Sequence, residues 1–128
     1  MNGEISTPPD AGDVLNTPGE PDDSPGRQEL RDIADVPAVE VITAAAVHLL
    51  SAAAVKCGLA EDVEADLDEA RKLITALAGL VTAARPDLGI HAAPLRDGLQ
   101  SLQRAFREAS SEPDDPGQGP GEKLTGPV

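Results

Sequence analysis

The sequence predicts an all-α protein, a small three-helix bundle flanked by disordered acidic, Pro/Gly-rich N- and C-terminal tails. Three observations carry that prediction. Val63, Ala70, Leu77 and Ala84 recur at intervals of seven, with Leu67, Ile74 and Val81 four residues after each of the first three. That spacing places all seven side chains on one stripe of a helix, which must be buried against other helices. Val36 to Val55 is almost wholly apolar, with polar groups only at Glu40, Thr43, His48 and Ser51. Both ends, by contrast, are crowded with Pro, Gly, Asp, Ser and Thr.

The elements follow in order. Residues 1–34 read as a disordered acidic tail, because scattered apolar residues such as Val14 and Leu15 cannot offset an ordering entropy of roughly 1–2 kcal/mol per residue. The domain proper is expected over 35–110. Its first helix spans about 36–57, with Asp35 as cap, Pro37 in the first turn and Lys56 complementing the dipole at the last. Gly58 supplies the left-handed stop, with Leu59 folding back. Being apolar nearly all round, this helix is expected to be the central, most buried one.

The second helix is expected over about 63–85, with Asp66 and Glu69 spaced as a capping box, Asp68 and Lys72 as an ion pair, and Pro86 as its end. After the turn Pro86-Asp87-Leu88-Gly89, a third helix over about 93–110 carries the stripe Leu95, Leu99, Leu102, Phe106 and Ala109. Gly98 weakens it by about 1 kcal/mol relative to Ala. Residues 111–128 carry prolines at 113, 116, 120 and 127 and are expected as a second disordered tail.

Composition bounds the function. The net charge is −13, and most of it sits in the ends. Residues 1–35 hold nine acids and two bases, 36–109 ten and seven, and 110–128 four and one. Such a field repels phosphate backbones and anionic headgroups, so nucleic acid and membranes are poor partners. Phe106 is the sole aromatic residue, which removes the usual stacking platforms. A single cysteine, Cys57, forms no intramolecular disulfide, and the first 25 residues lack a signal-peptide pattern. The expected compartment is the cytoplasm.

Candidate chemistry is sparse. Glu61, Asp62, Glu64, Asp66, Asp68 and Glu69 form a dense carboxylate run, but Leu67 and Leu73 stand where a calcium loop counted from Asp62 needs glycine and glutamate. Acids at a helix start complement its dipole instead. His48, His91 and Cys57 lack ligand spacing, and Ser51, Thr75 and Ser101 lack a base partner. No catalytic, metal or cofactor site is therefore expected, and the chain is read as a non-enzyme. The twenty-odd residues from Val36 to Val55 could span a bilayer by length. Glu40, His48 and the weakly inserting alanines favour a soluble bundle. The third helix carries the one face that stands out as a partner-docking surface, made by Arg96, Gln100, Gln103, Arg104 and Arg107.

Several stretches resemble the actinobacterial branch of the "domain of unknown function 1844" family: Arg31 to Ile42 (RDIADVPAVEVI), Ser51 to Leu59 (SAAAVKCGL), Asp66 to Val81 (DLDEARKLITALAGLV), Leu95 to Ser110 (LRDGLQSLQRAFREAS) and Pro120 to Val128 (PGEKLTGPV). The resemblance implies a small helical cytoplasmic protein with no established activity, and so no catalytic residue to carry over. Two positions depart from the family's pattern, which has an aromatic at Leu124 and an apolar residue at His48. The resemblance also marks the GEKLTGP tail and the ADVPAVE entry (residues 34–40) as more than plain linker, as a docking segment would be, and implies an association with translation genes. The expected function is a non-enzymatic protein–protein interaction module that self-associates, with helix 1 and the heptad seam shared between subunits, and that binds a further protein partner. The alternative is a translation- or ribosome-linked accessory factor touching RNA through Arg96, Arg104 and Arg107.

Overall fold

The computed structural model describes residues 33–128, together with Gly26 and Leu30. The expected acidic tail over 1–34 lies almost entirely outside the described residues. The chain divides into two units, Met1–Val36 and Pro37–Val128. In the first, the Val36 N–H donates to the Ile33 carbonyl at 3.1 Å. The second holds the fold: α1 (Ala38–Lys56), α2 (Leu67–Leu88), a 3-10 turn (Gly89–His91), α3 (Ala92–Ala109) and the four-residue α4 (Glu122–Thr125). Pro37–Val128 holds three long helices and one short one, and no strand occurs among the described residues.

Pro37, not Asp35, is the residue before α1, and no side chain caps that end; the Pro37 carbonyl accepts from Glu40 and Val41. The other end closes as a Schellman motif. Gly58 takes φ +89°, its N–H reaches Val55 O, and the Leu59 N–H reaches Ala54 O at 3.1 Å. Leu59 itself stays in solvent. The loop beyond is tied back where the Asp66 N–H donates to Lys56 O at 2.8 Å. Half of the expected capping box forms there. Asp66 Oδ1 accepts from the Glu69 N–H at 3.3 Å, but the Glu69 carboxylate turns to Lys72 at 2.7 Å. Lys72 therefore pairs three residues back rather than with Asp68, and that pairing raises its pKa.

The seam holds from Leu67 onward. Ala70, Ile74, Leu77 and Val81 are buried and pack with Leu95, Leu99, Leu102 and Phe106 of α3. Val63 lies before α2 and is exposed, and Ala109 is exposed beyond the α3 stripe. The α2 helix also passes its expected end. Pro86 sits inside its last turn, where only the bond to the Thr82 carbonyl is lost, and Leu88 beyond it is buried. The connection to α3 is thereby a single 3-10 turn pivoting on Gly89 (φ +56°).

Two expectations are overturned by this packing. The central helix is α2, which touches α1, α3, α4 and the 3-10 turn. The apolar α1 lies to one side, burying Ala46 and Ala53 and half-burying Ile42, Leu49 and Leu50, while Val41, Val47 and Val55 stay 37–49% exposed. A helix apolar all round does not specify its inner face. The contact face is instead selected by fit, and the small Ala46 and Ala53 let its axis approach α2. Second, the heptad seam cannot be shared between subunits, because Ile74 and Leu77 are already fully buried within one chain.

Candidate functional site

The polar side of α3 is where sequence and structure part most sharply. Its expected docking residues do not act together. Gln103 is fully buried and Arg107 half-buried, while Arg96 and Arg104 are exposed and Gln100 is intermediate. What buries the first two is the chain's own C-terminal segment. Residues 111–128, expected as a disordered tail, fold back across α2 and α3, and Gly119, Pro120 and Glu122 are buried there. Proline forbids a continuous helix, as the sequence required, but does not forbid a fixed path. Tertiary hydrogen bonds and left-handed glycines supply the order that helix periodicity does not.

Each attachment can be traced to a residue. Arg71 of α2 stacks over the Phe106 ring, 4.9 Å from its centroid, and reaches Asp114 at 3.0 Å. The lone aromatic residue thus serves as a platform for a guanidinium that grips the returning chain. Arg107 donates to the Asp114 carbonyl at 2.7 Å and, at 3.4 Å, to the Glu122 carboxylate. Glu122 is only 3% exposed, and its other oxygen accepts the Gly117 N–H at 2.9 Å. Gln103 donates through Nε2 both to Pro120 O and to Thr125 Oγ1, each at 3.0 Å. A proline carbonyl can only accept, which settles which end of the amide faces it.

Gly121 brings the segment onto α2. At φ +76° it approaches so closely that a Cβ there would lie 2.6 Å from that of Ala78. Thr125 Oγ1 then bonds back to the Gly121 and Gly126 carbonyls. The motif GEKLTGP is therefore a docked element, its glycines and Thr125 shaping a short turn and Glu122 anchoring it.

A matching family model covers residues 38–108 and is described as "Domain of unknown function (DUF1844)". The chain belongs to the DUF1844 family. Neither a curated protein nor a solved structure matches it significantly. The matched span contains α1, α2 and nearly all of α3, while the docked C-terminal segment falls after it.

The remaining candidates are dispersed. Cys57 is buried at the end of α1, and burial raises its thiol pKa, which disfavours the thiolate. His48 is exposed on α1 and His91 half-buried in the 3-10 turn. Among the described residues no three His, Cys, Asp or Glu side chains gather as a metal site would require. Glu61, Asp62, Glu64, Asp66 and Asp68 are all exposed. By length and composition α1 and the stretch Leu67–Ala109 would each suffice to cross a bilayer, a test that core helices of soluble proteins also pass.

Among the described residues two features could meet a partner. One is the uncovered side of α1. The other is a pocket of about 140 Å³ between α2, α3 and α4, lined in part by Arg85, Arg96, Gln100 and Leu124. Residue-by-residue reading missed Gln103, Glu122 and Arg71 as structural anchors. The signal that could have found Glu122 was the GEKLTGP string, whose glycines at 121 and 126 flank a short run able to turn.

Proposed function

We propose that this DUF1844 protein is a non-enzymatic, cytoplasmic interaction module that pairs with a second copy of itself through α1. The observation that carries the reading is the exposed stripe Val41, Ala44, His48, Ser51 and Val55. Its members are spaced three and four residues apart in alternation, the spacing of a helix seam that winds around another helix. The stripe bears no formal charge at neutral pH with His48 neutral, and Ala44 and Ser51 are small enough to let two helix axes come close.

Magnitudes favour a weak dimer. Full burial of a valine contributes about 1.5–3 kcal/mol, so each partly exposed valine adds roughly 1 kcal/mol. Val41 and Val55 from two copies, with the flanking alanines, then oppose an association cost of several kcal/mol. Pairing is expected to be visible only towards high concentration.

Sedimentation equilibrium from about 10 µM to about 1 mM tests this. The wild-type chain should move from monomer to dimer across that range. Val41→Lys and Val55→Lys should remain monomeric with unchanged helical circular dichroism. A wild-type chain that stays monomeric throughout, while fully folded, refutes the reading.

The RNA-binding alternative loses support from the placement of its residues. Arg107 is committed to Asp114 and Glu122, which leaves Arg96 and Arg104 on a strongly acidic chain.

A further inference from the structure

We infer that the pocket between α2, α3 and α4 binds a small organic carboxylate with a short branched apolar body. This is independent of the pairing of α1, which uses a different surface. The pocket exists only because the C-terminal segment is docked. Its floor includes Val81 of α2 and Leu99 of α3, both buried, and Leu124 of α4 forms its apolar lip at 52% exposure. Its polar side includes Arg85, Arg96 and Gln100, with Thr82 and Thr125 beside them.

Three properties select the ligand class. The first is charge. No Asp or Glu lines the pocket, although the chain as a whole carries −13. Among the described residues Arg85 has no ion pair, and Arg96 meets only its neighbour Asp97 at 3.9 Å, with both side chains about half exposed or more. Such a surface contact contributes little and yields readily to a better acceptor. Each of these two arginines carries the planar donor fork that a carboxylate matches with two parallel hydrogen bonds.

The second property is size. A volume near 140 Å³ resembles the cavity of about 150 Å³ that takes a benzene molecule. A ligand of six to eight non-hydrogen atoms fits that scale roughly, whereas cofactor and nucleotide sites run to about 300 Å³ and more. The third is polarity. Val81, Leu99 and Leu124 would leave apolar surface against a bare phosphate or sulfate, but would cover a branched alkyl group. The same chemistry is presented by a free short-chain acid and by the C-terminal leucine or valine of a peptide.

The test is an NMR titration of the full chain, following the Leu99 and Leu124 methyl groups and the Arg85 and Arg96 Nε–H signals. Isovalerate is the free-acid probe, acetyl-glycyl-leucine the peptide-end probe, and isovaleramide the uncharged control. Isovalerate or the peptide should give saturable shifts at those four residues, with half-saturation near about 1 mM. Isovaleramide should bind at least about tenfold more weakly, as should either acid to Arg85→Gln or Arg96→Gln. Both arginines are exposed, so these variants should keep the wild-type spectrum elsewhere. Tighter binding of the peptide assigns a chain terminus as ligand, and tighter binding of isovalerate a free acid. Shifts that fail to saturate, that isovaleramide reproduces, or that survive both arginine substitutions overturn the assignment.

Discussion

Replacing Gly121 by alanine should release the C-terminal segment while leaving the three long helices folded. Two separate costs meet at this residue. Its φ of +76° lies in the left-handed region, where a Cβ costs about 1–2 kcal/mol. The new methyl would also stand 2.6 Å from Ala78 Cβ and 3.2 Å from Gln103 Nε2. Carbon atoms at rest sit about 3.5–4.0 Å apart, so the segment must withdraw by about 1 Å. Ala78 is fully buried in α2 and cannot yield. Withdrawal breaks the 3.0 Å bond from Gln103 to Pro120 O, and leaving a buried donor unpaired costs about 1–3 kcal/mol.

The sum is about 3 kcal/mol, which multiplies the open population of the segment by roughly a hundred. The Ala78→Gly background provides the internal control. It removes the Cβ that the new methyl would meet, so Gly121→Ala there incurs mainly the backbone cost, about tenfold in open population. Amide hydrogen exchange at Leu124, which donates to Gly121 O at 2.9 Å, reads the opening directly. Gly121→Ala should accelerate exchange about a hundredfold in the wild-type chain and about tenfold in the Ala78→Gly background, with the denaturation midpoint of the helical core moving far less. Equal acceleration in the two backgrounds would show that the contact with α2 contributes nothing, and the steric reasoning would fail.

Ile74→Ala, in the buried part of the seam, should lower unfolding free energy by about 2–5 kcal/mol in urea titration, whereas Val63→Ala, in heptad register but outside α2, should change it by less than about 0.5 kcal/mol. At Gly98 a Cβ would meet Leu50 Cδ1 of α1 at 2.5 Å, so Gly98→Ala trades a helix-propensity gain of about 1 kcal/mol against displacement of that side chain. In a Leu50→Ala background the gain should appear undiminished, and a strictly additive double-mutant cycle would refute the contact. Burial raises the Cys57 pKa, so its thiolate is scarce at neutral pH and alkylation by iodoacetamide should be slow in the native protein, rising sharply only where urea unfolds it. Native-state alkylation as fast as that of a free thiol would contradict the burial.

Periodicity alone was enough for α2 and α3, because each buries one stripe and a stripe repeats in sequence. Leu67 to Val81 and Leu95 to Phe106 announce both their helicity and their inner faces. α1 announced only helicity, since side chains apolar on every side give no direction to the core. The end of α2 was misjudged for a related reason: Pro86 removes one donor in a last turn, and the burial of Leu88 beyond it favours continuing the helix.

What this sequence determines by itself is therefore local. It sets three helices, their order, the stop at Gly58 and two of the three inward faces. The tertiary structure alone decided that α2 is central, that α1 keeps an uncovered side, and that the expected docking face is split. Gln103 and Arg107 read in the sequence as part of a partner-docking face because their true partners, Pro120, Thr125, Asp114 and Glu122, lie seven to twenty-two residues further on. A polar residue carries no mark of whether its acceptor will be water or a distant carbonyl. That choice is made only when the chain returns, and with it come both the buried anchor and the pocket beside α4.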